Sequence, residues 1–127
     1  MNAVEQYLDR LSVKDWDGVA ATLAERDFER IGPFVDVVSS KPAYMKFLSG
    51  IVSQLGNYGI KVDRITDAGK VVLAEIHEIF DAEGQHFEYP EALVFEVDQS
   101  GLINHISVYL MRPGEAAPVS GGSAAQT

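Results

Sequence analysis

The chain has 127 residues, with 10 Lys and Arg against 19 Asp and Glu for a formal charge of −9, and it contains no cysteine. That length suits one domain, which buries roughly two-thirds of its unfolded surface without covalent staples. The missing cysteine excludes disulfide scaffolds, thiol nucleophiles and thiolate metal sites, and the acid excess argues against nucleic acid and anionic membranes, which bind through Lys and Arg.

The opening run MNAVEQYLDRLSVKDWDG carries charges throughout. It has neither the basic start nor the apolar stretch of a secretory leader. No segment approaches the ~18 apolar residues of a membrane span, so a cytoplasmic location is the expectation. Val4, Tyr7, Leu8 and Leu11 fall on one helical face, with Glu5, Asp9 and Arg10 off it, which predicts an amphipathic first helix. Ser12 and Asp15 offer capping oxygens for a second helix, whose buried side would be Trp16, Val19, Ala20 and Leu23. Phe28 to Ile31 reads as a short extended run stopped by Gly32-Pro33. Ser40 before Lys41-Pro42 predicts an N-cap with proline in the first turn. Tyr44, Phe47, Leu48, Ile51, Val52 and Leu55 give the third helix, and Gly56 is placed to end it.

The pattern then changes to strands. Ile60, Val62 and Ile65 suggest one, followed by a turn at Asp67-Ala68-Gly69. Val71 to Phe80, Phe87 to Val97 and Leu102 to Met111 follow, separated by turns at Ala82-Glu83-Gly84 and Asp98-Gln99-Ser100-Gly101. Turns at this spacing between β-rich runs predict an antiparallel meander. Pro90 cannot donate to a ladder, which predicts a bulge or an unpaired edge. The expectation is one α+β domain over residues 1–112, a cone-shaped curved antiparallel sheet packed against three N-terminal helices, with 113–127 as a small-residue, disordered tail. A curved sheet closed by helices leaves a cavity, the natural place for a small ligand.

The element order, the helix VEQYLDRLSVKDWDGVAATLAE and the closing strand GLINHISVYL resemble the nuclear transport factor two-like superfamily, more narrowly its SnoaL-like and ketosteroid-isomerase-like members. The resemblance spans about residues 3–112. It implies an α+β barrel with a hydrophobic pocket for a small apolar molecule, cofactor-free chemistry, and a homodimer through the outer sheet face. It places Tyr7 where isomerases keep an oxyanion donor. It places Ile31, Leu93 and Val108 where relatives keep catalytic carboxyl groups, so neither known apparatus is intact.

The candidate acid–base groups are Glu91, His77 and Tyr7, with Glu75, Trp16, Ile31, Tyr44, Leu93, Asn104 and Val108 as pocket residues. Glu75 and His77 share one strand face. Two parities remain open. If Val72, Ala74, Ile76 and Phe80 face the cavity, Glu75 and His77 look outward; if Val71, Leu73 and Ile79 do, the two polar groups enter the pocket. Arg30 and Asp36 flank the Gly32-Pro33-Phe34 turn, either as a surface pair or with Arg30 as a carboxylate clamp. His77 with Glu75 and Glu91 lacks any standard metal-ligand spacing, so no metal is expected. Val94, Ser107 and Tyr109 would lie on the dimer face. Two functions fit: an isomerase, cyclase or hydrolase working by acid–base chemistry on an apolar ring-containing substrate, or a non-catalytic ligand-binding or dimerisation module.

Overall fold

The computed structural model describes residues 2–111; the expected tail at 113–127 lies outside them. Helix α1 (Ala3–Ser12) begins in a reciprocal cap: Asn2 accepts from the Glu5 amide at 2.8 Å, and Glu5 accepts from the Asn2 amide at 3.0 Å. Its buried stripe is Val4, Tyr7, Leu8 and Leu11, the face expected from the spacing. Helix α2 (Trp16–Ala20) is capped by Asp15, which accepts from the Gly18 amide at 3.0 Å. It ends too soon to include Leu23, which instead bridges to Ile103.

Strand β1 (Glu29–Ile31) stops at Gly32-Pro33, as the sequence reading expected. The chain turns there and returns as β2 (Val37–Ser39), a strand the sequence reading lacked. Helix α3 (Lys41–Val52) follows Ser40, whose hydroxyl accepts from the Ala43 amide at 3.3 Å. Gly56 does not end this helix; it opens β3 (Gly56–Asp67). Strands β4 (Val71–Ala82), β5 (Gln85–Val97) and β6 (Ile103–Leu110) complete the meander.

The sheet order is β2-β1-β6-β5-β4-β3. All neighbours are antiparallel except β1 and β6, which run parallel with Glu29 opposite His105 and Ile31 opposite Ser107. The α+β class holds, with a curved sheet that is mixed. It is also open, with β2 and β3 as its edges, so the expected barrel does not close. Pro90 causes no bulge: β4 and β5 keep register from Val71–Glu96 to Ala82–Gln85, with His77 opposite Pro90. Pro90 accepts from the Met111 amide at 3.0 Å, so its donor-less nitrogen also faces β6, where that strand has just run out.

The helices cover one face of the sheet. Phe95, Ile103, Ile106 and Ala74 from the strands meet Val4, Tyr7, Leu8 and Val19 from the helices, all essentially inaccessible to solvent. Tyr7 packs its ring edge-on against Phe95 at 5.5 Å between centroids. No helix among the described residues is long and apolar enough to cross a membrane.

Candidate active site

The covering helices decide the parity that the sequence left open. On β4, Val72, Ala74 and Ile76 are buried, whereas Val71 and Leu73 are 37% and 40% exposed. Even-numbered residues therefore face the core, and the next in the series is Glu78. On β5 the same face carries Tyr89, Glu91 and Leu93, because Ile76 stands opposite Glu91 and Ala74 opposite Leu93.

A cavity of about 250 Å³ lies between this face and the helices. Leu11 of α1 and Leu48 of α3 form one wall, and Ile60, Ile76, Leu93, Ile106 and Val108 form the sheet side. Phe80 and Tyr89 stand at one end, in a cluster with Phe87 whose ring centroids are 5.4–5.9 Å apart. The polar groups that reach this apolar space are Tyr7, Tyr44, Arg30, Glu78 and Glu91.

Burial governs the chemistry of these groups. The Glu91 carboxyl is pushed up to about 9, first by loss of water, then by hydrogen bonding and charge repulsion from Glu78, against a lowering pull from Arg30. At neutral pH Glu91 therefore holds a proton beside a second carboxyl group. Tyr7 and Tyr44 share a hydrogen bond of 2.5 Å between their hydroxyls. Burial raises both phenols, Tyr7 well above its ordinary value and Tyr44 to about 12, so both remain neutral hydrogen-bond donors. Tyr58 of β3 donates to Glu78 Oε2 at 2.5 Å. Arg30 is held by Asp36 at 3.0 Å and lies over the Phe47 ring at 5.0 Å.

Glu91, Tyr7, Tyr44, Leu93 and Val108 thus meet around one cavity. Glu75 and His77 do not line this cavity, which separates His77 from Tyr7; with Asp63 they line a second hollow that Glu91 also borders. They lie on the opposite face of β4, where Arg64 donates to Glu75 at 2.5 Å and the His77 ring contacts Asp63 at 2.6 Å. Arg64 holds the Glu75 carboxyl below its ordinary value. Ile31 is also outside the cavity: Arg30 pairs with inward Ile106, so its neighbour Ile31 must face Ser107 and the outer surface. Trp16 packs against the edge of the core rather than the cavity wall. Asn104 sits at the register shift between β5 and β6, away from the cavity, with its Oδ1 buried and unpartnered among the described residues. Among those residues no cluster of three His, Asp or Glu side chains is arranged to hold a metal. Sequence reasoning missed Glu78 and Tyr58. For Glu78 the signal was present, since the outward parity of Glu75 and His77 makes it the polar residue turned inward.

The profile of the SnoaL-like domain matches residues 4–106, most of the chain. The chain belongs to the SnoaL-like domain family. No curated protein matches it in sequence. Among solved structures, this SnoaL-like domain is similar to a candidate ketosteroid isomerase of Kribbella flavida, with TM-score 0.77, 20% identity, and coverage of 91% of this chain and 80% of that one. It is similar to an LEH-like epoxide hydrolase of M. tuberculosis, with TM-score 0.76, 26% identity, and coverage of 86% and 80%. An NTF2-like protein of unknown function from Burkholderia xenovorans matches at TM-score 0.73 and 17% identity, over 91% and 84%. The resemblance read from the element order is thus borne out for family and fold.

Proposed function

We propose that this SnoaL-like domain is a cofactor-free acid–base enzyme acting on a small, largely apolar, ring-containing molecule. The observation that carries the reading is the pair of inward carboxyl groups, with Glu91 protonated beside Glu78 inside an apolar cavity. Two groups that share one proton supply an acid and a base at the same pH. Glu91 delivers its proton to an oxygen of the substrate while Glu78 takes one from an attacking water or from a carbon next to a carbonyl. After water attack the proton gained by Glu78 returns to Glu91 across their hydrogen bond; after abstraction from carbon Glu78 delivers it to the far carbon of the dienol while the enol oxygen gives its proton back to Glu91, and either route restores the starting state. The Tyr7–Tyr44 pair donates to negative charge developing on a substrate oxygen. A cavity of about 250 Å³ is just below the roughly 300 Å³ at which ligand sites usually begin, so the substrate is small.

The test is turnover of a panel of small cyclic epoxides and β,γ-unsaturated ketones, the epoxides first because of the similarity to an epoxide hydrolase. Glu91→Gln is expected to lower turnover at least about 100-fold, the usual contribution of a positioned proton donor. Unchanged turnover in this variant would overturn the mechanism. The second reading, a non-catalytic binding module, draws on Leu93 and Val108, which are apolar where the resemblance puts catalytic carboxyl groups. It gains if the panel binds and nothing is turned over.

The same reading includes a cytoplasmic homodimer. Its support is the outer sheet face, where Val71, Leu73, Tyr109 and Met111 are exposed apolar residues.

A further inference from the structure

Resting on the acid–base reading above, we propose that Tyr58 is a positioning residue that fixes which carboxyl group of the pair carries the shared proton. It does so by donating to Glu78 and leaving Glu91 as the acid. Tyr58 does not line the cavity. It packs against the core from β3, beside the bulge between Gly56 and Gly59, where Asn57 takes φ 47° and is tied to Asp81 at 2.7 Å. That bulge sets the edge strand so that the phenol ends on Glu78 Oε2 at 2.5 Å.

The argument is one of asymmetry. Two glutamates on neighbouring strands, each burdened by the other, would share a proton without preference if their surroundings were alike. Their surroundings differ. Glu78 receives a hydrogen bond from a group that only donates there, because the Tyr58 phenol is itself raised far above its ordinary value by burial and by Glu78. A donor aimed at one carboxylate favours the charge on that carboxylate. No hydrogen bond from a protein donor to Glu91 offsets this among the described residues. The other charged or titratable groups of the cavity are Arg30 on β1, Tyr7 on α1, Tyr44 on α3 and Tyr89 on β5. Arg30 is engaged with Asp36, and Tyr7 with Tyr44. On the far side of the sheet Asp63 pairs with His77, and Glu75 with Arg64.

The test is a carbon-13 NMR titration of the glutamate side-chain carboxyl carbons in the ligand-free protein, with Glu78→Gln and Glu91→Gln used for assignment. In the wild type Glu91 is expected to lose its proton at higher pH than Glu78. In Tyr58→Phe the Glu78 carbon is expected to move toward its protonated position at the same pH. Loss of a hydrogen bond to a charged group corresponds to a rise of roughly one to two pH units in its titration. With a substrate in hand, the acid limb of the rate profile should rise by the same amount, whereas a residue that only supports the fold would lower rate at every pH. A Tyr58→Phe variant that folds with an unchanged Glu78 titration overturns the proposal. So does a wild type in which Glu78 deprotonates after Glu91, a result that needs no variant to fold. A Glu91 that titrates in the ordinary carboxylate range would instead sink the acid–base reading itself.

Discussion

Glu91 sits where ionisation is costly, and that cost ties its chemistry to the stability of the whole chain. Its folded-state affinity for a proton is raised to about 9 from the ordinary 4.5. Between those values the folded protein holds a proton that the unfolded chain has released, so stability falls as pH rises through that window. The slope has a ceiling of about 1.4 kcal/mol per pH unit for one group. Glu91→Gln keeps the shape and removes the ionisation. Its thermal midpoint should exceed that of the wild type at pH 8.5, with the gap closing toward pH 5. A gap that does not change with pH would mean Glu91 is not the group responsible.

At the scale of elements, the turn into α3 carries a contradiction that substitution can separate. Ser40 caps the helix through its hydroxyl but holds φ 86° and ψ 145°, a backbone region close to one that only glycine occupies freely. Ser40→Ala loses the cap and keeps the strain, and should cost about 1 kcal/mol in urea unfolding. Ser40→Gly loses the cap but relieves the strain, so it should be clearly more stable than Ser40→Ala. The reverse order would show that the backbone strain at this position does not matter. Helices such as α1 were legible in the sequence because an apolar stripe at 3.6 spacing has a single reading. Strand β2 was not, since Val37 and Ser39 are exposed and three residues make no period. The orientation of β4 was not legible either. Both of its faces are apolar in sequence, and only the helices that cover one of them make Val72 core and Val71 surface. That same ambiguity drew attention to His77 and away from Glu78.

At the scale of the molecule, the outer sheet face combines exposed Leu73 and Tyr109 with the Arg64–Glu75 and Asp63–His77 pairs. An apolar strip flanked by satisfied charges suits a self-complementary contact. The wild type should scatter light as a dimer at micromolar concentration. Leu73→Glu, which adds charge to that face and does not line the cavity, should shift it toward monomer. A Leu73→Glu protein that stays dimeric would move the interface elsewhere.

The parallel pairing of β1 with β6 has a consequence for the order in which the molecule assembles. Glu29 and Ile31 have their neighbours at His105 and Ser107, near the far end of the described chain. The β1–β2 and β3–β4–β5 hairpins close over short loops, but β1 joins the rest of the sheet only when β6 has been made and folded back, a long-range contact that pays its loop entropy late. Glu78 and Glu91 belong to the early part and Tyr7, Arg30 and Tyr44 to the other. Arg30, carried by β1, thus comes to the cavity through the β1–β6 pairing, so the positive charge that opposes the rise in Glu91's proton affinity arrives with the last strand.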